Sequence, residues 1–64
     1  MSNLDDIKEK AKKVLNDAST EKEAEEKLTG IGLTTPFVTF SKPNKAGYVM
    51  KMGMAYYKDE IINF

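Results

Sequence analysis

The chain has no cysteine, no histidine, no tryptophan and no arginine among its 64 residues. Without cysteine there is no disulfide and no thiolate metal site, which fits a reducing compartment. Without histidine the commonest metal ligand and the commonest general base are both missing. Without arginine there is no planar fork for bidentate contact with phosphates or base edges. Long apolar runs are also absent. No stretch approaches the roughly 20 residues that a membrane-spanning helix needs. The N-terminus turns polar within five residues, unlike a signal peptide. These absences lead to the expectation of a cytoplasmic protein with no cofactor, no metal and no membrane association.

Catalytic constellations are equally hard to assemble. A serine or threonine nucleophile needs a base, and no histidine is there to serve. The lysines lie in no context that would desolvate one. Asp59 and Glu60 are adjacent, so their carboxylates point apart. A chain of 64 residues also has little room for a pocket of about 300 Å³ or more beside its core. The expectation is a protein that is not an enzyme.

Ten lysines balance ten acids, for a formal net charge of zero. Nucleic-acid binders normally carry a basic excess. The balance is uneven along the chain: residues 1–29 hold six lysines and eight acids, and residues 30–64 hold four lysines and two acids.

What is present is a methionine-rich stretch, Gly47 to Tyr57, GYVMKMGMAYY. At period two, Tyr48, Met50, Met52, Met54 and Tyr56 share one side. Val49, Lys51, Gly53, Ala55 and Tyr57 share the other. That alternation predicts a strand with one buried face. Methionine fills irregular gaps beneath helices, so the methionine side is expected to face inward; the alternative is an adaptable partner-gripping surface. Gly53 marks either a bulge or a close approach by a neighbour.

Two helices are expected ahead of it. Ser2 or Asn3 can cap the first, with Asp5 and Asp6 suited to its dipole. Leu4, Ile7, Ala11, Val14, Leu15 and Ala18 recur at spacings of three and four, and the helix should stop around Asn16 to Ala18. Thr20 and Glu23 form a capping box for the second helix, EKEAEEKL, whose inward seam is narrow: Ala24, Leu28 and then Ile31. Gly30 is suited to the left-handed conformation that ends it. The short connection predicts an antiparallel helical hairpin.

Phe37-Val38-Thr39-Phe40 reads as a first strand, with Val38 and Phe40 on one face and Phe37 and Thr39 on the other. Ser41 to Ala46 reads as a turn, so this strand and the methionine strand should form a hairpin. After Lys58-Asp59-Glu60, residues Ile61, Ile62 and Phe64 form either a third strand or a tail docked on the helices.

Helices first and strands after is a segregated α+β order. The fold class expected is a single small α+β domain over residues 1–64, with an N-terminal helical hairpin on one face of a two- or three-stranded antiparallel meander. The expected core is Leu4, Ile7, Ala11, Val14, Leu15 and Leu28, with Ile31, Val38, Phe40, Met50, Met52 and Met54.

If the methionine side is buried, Val49, Ala55 and Tyr57, joined by Phe37, form an apolar patch around Lys51 and Gly53 on the open side. Such a patch suits a protein interface; coverage of both faces by helices or tail is the competing reading. The acidic second helix, with Glu21, Glu23, Glu25 and Glu26, reads as a solvated surface. Leu28 to Leu33, LTGIGL, shares glycine spacing with the turn of helix-hairpin-helix DNA-binding motifs. The extended TTPFVTF that follows departs from that pattern, so it reads as a helix terminus.

The leading functional expectation is a small non-enzymatic protein-binding module: an adaptor, inhibitor or modulator of a larger intracellular protein. Small chains of this build are common in phages and mobile elements, an association of class. Its partner-binding residues are expected to be Phe37, Val49, Lys51, Ala55 and Tyr57. The alternative is a self-associating structural subunit, a homodimer. A minor alternative is weak nucleic-acid binding through Lys42, Lys45, Lys51 and Lys58 beside Phe40, Tyr48 and Tyr56.

Overall fold

A computed structural model describes residues 3–64. The element order is α1 (Asn3–Asp17), α2 (Glu21–Gly30), β1 (Thr34–Phe40), β2 (Lys51–Tyr57) and β3 (Glu60–Asn63). The strands form one antiparallel sheet in the order β1-β2-β3, and α2 packs over β1 while α1 packs over β2. The helical hairpin on one face of a meander is therefore the architecture.

Helix α1 buries Ile7, Ala11, Leu15 and, just past its end, Ala18. These are the stripe that its 3.6-residue period sets out. Of the two candidate caps, Ser2 lies outside the described residues. The last turn of α1 has no basic residue of its own. Lys51 of β2 supplies one from across the layer: its Nζ donates to the carbonyls of Asn16 at 3.0 Å and Ala18 at 2.7 Å. Positive charge there answers the carbonyl end of the helix. The same ammonium lies 5.0 Å from the Phe40 ring centroid.

Helix α2 begins at the Thr20 cap, whose Oγ1 accepts from the Glu23 N–H at 3.1 Å. The reciprocal bond differs from the expected box. The Glu23 carboxylate accepts from the Ser19 N–H at 3.4 Å, one residue earlier than Thr20. Only Ala24 and Leu28 of α2 are buried. The helix end also shifts from expectation. Gly30 is the last helical residue, and the left-handed position falls on Gly32, with φ of 106°. The Leu33 N–H donates to Leu28 O and the Gly32 N–H to Thr29 O, both at 3.1 Å. This paired pattern is a Schellman close, and it delivers Leu33 into the core beside Leu28.

Strand β1 carries a bulge. Thr34 lies opposite Tyr56 and Phe37 opposite Met54, so β1 spends three steps where β2 spends two. Thr35 sits in the bulge at φ of 44°, strained for a β-branched residue. Thr34 and Phe37 consequently both oppose the same side of β2. The β1–β2 hairpin forms as expected, but its loop is longer. Residues 41–50 are outside the strands, so β2 starts at Lys51 and not at Gly47. Asn44 organises the loop tip: its Oδ1 accepts from the N–H groups of Ala46 and Tyr48, each at 2.9 Å. The β2–β3 turn is only Lys58-Asp59, and the C-terminal segment is a third strand.

The phase of β2 reverses the sequence expectation. Val38 of β1 lies opposite Gly53 and Ile62 of β3 opposite Ala55, and Val38, Ala55 and Ile62 are all buried. Gly53 and Ala55 thus face the helices. Met50, Met52 and Met54, expected in the core, are exposed on or beside the other side. The physical reason is space. The core is already filled by Ile7, Leu15, Leu28 and Leu33 against Ala11, Ala18 and Ala24, so β2 presents its smallest residues to it. Ala18, Ala24, Leu33, Ala55 and Ile62 take the places the methionines were expected to hold.

Gly53 marks a close approach. Gly53 and Phe64 exchange backbone hydrogen bonds of 3.1 and 2.9 Å. The Phe64 ring lies across the glycine, so an added Cβ would overlap its Cε2 and stand 3.1 Å from two further ring atoms. The ring closes the core where β2 has no side chain, as aromatics do over strand glycines.

Two stability outcomes follow. Gly53→Ala is expected to destabilise the protein by about 1–3 kcal/mol through overpacking, and the penalty should shrink in a Phe64→Ala background. Urea unfolding of the two single variants and the double variant checks this; additive penalties would place the clash elsewhere. Lys51→Met keeps the stem and removes the ammonium, and is expected to cost about 1–2 kcal/mol.

Candidate functional site: the open face of the sheet

The side of the sheet away from the helices is formed by Phe37 and Thr39 of β1, Met52, Met54 and Tyr56 of β2, and Ile61 and Asn63 of β3. Phe37 is 64% exposed, Met52 59%, Met54 40%, Tyr56 44% and Ile61 52%, against 1% for Ala55. Nearly a third of the chain is charged, yet none of these positions carries a charge. Apart from Lys51 and Glu60 at the ends of strands, the lysines and acids lie on the helices and in the loops and turns. Scaled by side-chain areas of about 150–250 Å², the five apolar residues expose roughly 500 Å². Met50 and Tyr48, both exposed in the loop that leads into β2, extend the apolar character along the chain.

The face is not flat. A hollow of about 240 Å³ is lined by Phe37, Thr39, Met52, Gly53, Met54 and Asn63. Its walls are almost entirely apolar, so it suits an aliphatic or aromatic side chain. Ile61 and Tyr56 stand beside it on the neighbouring row, opposite one another across β2 and β3.

The five residues expected to share a contact patch do not share a face. Phe37 lies on the open side. Ala55 is buried under the helices, Lys51 is held by the end of α1, and Tyr57 is half-buried against the core. Val49 is half-buried in the loop, where it lines a second hollow of about 520 Å³ with Asn16, Asn44, Tyr48, Met50 and Lys51. The cause is the reversed phase of β2: a one-residue slip carries every side chain to the opposite face. The residues that the open face brings together with Phe37 are Met52, Met54, Tyr56 and Ile61. The signal that could have found them was size, since Gly53 and Ala55 leave room for helices and methionines do not.

The stacking platform is likewise dispersed. Phe40 packs on the core side with Lys51 over it, while Tyr56 lies on the open side. Glu21 has a local role. Its carboxylate accepts from the Phe40 N–H at 2.7 Å. Pro36 has no amide hydrogen. Together these blunt the outer edge of β1 against strand addition. No helix among the described residues is long and apolar enough to cross a membrane.

Comparison with protein families, characterised proteins and solved structures finds no match for this chain.

The phase of β2 has a direct thermodynamic reading. Met52→Thr is expected to change stability by no more than about 0.5 kcal/mol, as at other surface positions. Ala55→Leu, three residues along and on the other side, is expected to cost about 1–3 kcal/mol by overpacking. Chemical denaturation at low micromolar concentration, with the same denaturant slope for each variant, makes the comparison. A large cost at Met52 with none at Ala55 would reverse the assignment of the two faces.

Proposed function

We propose that this protein works by docking to protein through the open face of its sheet. One observation supports the reading above the others: every outward position of three adjacent strands is uncharged, and five hold large apolar side chains that water reaches. Exposed apolar patches of a few hundred Å² are characteristic of contact surfaces. Methionine adds a side chain that adapts to the shape opposite it, and Phe37 and Tyr56 are of the types that anchor interfaces. The helices hold the sheet from behind, so the face is presented on a rigid support. An adaptor, an inhibitor or a modulator would all use such a surface, and each acts by occupying a site rather than by chemistry.

The test compares two baits. Wild type and a Phe37→Lys/Met52→Lys variant are immobilised and exposed to an extract of the native host. The variant is expected to keep its circular dichroism spectrum and to lose proteins that wild type retains. Identical retained sets would place the contact surface elsewhere on the molecule.

A further inference from the structure

We infer that the occupant of the open face is a second copy of this chain, packed sheet against sheet about a two-fold axis. This rests on the docking reading above and names its partner. Three observations carry it: charge, area and shape.

A two-fold axis sets a surface against itself, so a charge near the axis meets its own sign. None of the chain's ten lysines and none of its ten acids lies on the open face. A basic or acidic partner surface would find nothing to pair with there, whereas a second copy meets an equally neutral face.

The area is of the right size. The apolar side chains alone supply about 1,000 Å² from two copies, the lower bound for a specific contact. A contact near that bound is at the small end of specific interfaces.

The shape admits packing against a copy of itself. Each copy offers a shallow hollow of about 240 Å³ and, one row away, the exposed Ile61 and Tyr56. Two such faces stacked at about 10 Å, the ordinary spacing of packed sheets, let side chains of each enter the hollow of the other. Growth by edge pairing at β1 is disfavoured by Pro36 and by the Glu21 carboxylate on the Phe40 N–H.

Sedimentation equilibrium between about 1 and 200 µM tests this, a range in which a dimer of micromolar affinity or tighter is populated. Wild type is expected to rise from 7.2 kDa toward twice that mass. Met52→Lys and Ile61→Lys, each on the open face, are expected to stay monomeric with unchanged circular dichroism. On wild type alone, the Met52 and Met54 methyl resonances should shift with concentration while those of Ile7 and Leu15 do not. A wild type that stays monomeric throughout overturns the inference. So does a dimer that survives both substitutions, or concentration shifts confined to the helices. A monomeric wild type leaves the docking reading to the extract comparison. Retained proteins lost with Phe37→Lys/Met52→Lys would then mean a different partner, and no such loss would remove the docking face as well.

Discussion

Everything in this fold depends on which side of the central strand is turned toward the helices. Gly53 and Ala55 are the inward residues of β2 at its middle, and Ala11, Ala18 and Ala24 are the small residues that the helical layer gives to the same core. α1 packs over β2 and α2 over β1, and the Phe64 ring covers Gly53 between the layers. The larger core residues, Ile7, Leu15, Leu28, Leu33, Val38 and Ile62, fill the rest of the space between helices and sheet. A methionine turned inward would have to displace one of them, because a packed interior has no spare volume.

That one constraint has consequences at each end of the strand. At Gly53 the missing side chain leaves a gap, and the Phe64 ring fills it while its backbone pairs with the glycine. At Lys51 the inward phase would bury a charge. The long stem instead carries the ammonium to the rim of the layer, where the last carbonyls of α1 need a donor. One lysine therefore satisfies the helix end and tethers it to the sheet. On the opposite side, the same phase leaves the methionines and Tyr56 in water, and that uncovered face is the basis of the functional proposal.

Much of the architecture was legible from residue order. The stripe in α1, the Thr20 cap and the segregation of helices from strands each rest on local rules, and the structure follows them. Phe37 was also read as outward, from its alternation with Val38. The error lay in joining Phe37 to the wrong side of β2. Both sides of GYVMKMGMAYY are apolar enough to pass for a core face, so hydropathy could not choose between them. Register would have chosen, because Phe37 lies opposite Met54. That register depends on a bulge at Thr35 and on a ten-residue loop whose tip is set by the Asn44 side chain. Neither feature has a period, so neither shows in a pattern of alternating residues. The displaced helix stop, from Gly30 to Gly32, has a similar origin: two glycines compete for one left-handed position, and the one that brings Leu33 over Leu28 prevails.

The account stands on which side of β2 meets water, and solvent access along that strand measures it most directly. Methyl groups of the methionines and alanines, labelled in the monomeric protein, can be relaxed by a soluble paramagnetic probe. The methyls of Met52 and Met54 should relax strongly and that of Ala55 hardly at all. Strong relaxation at Ala55 with protected methionines would set the sulfur side beneath the helices, and both the packing and the docking face described above would be contradicted.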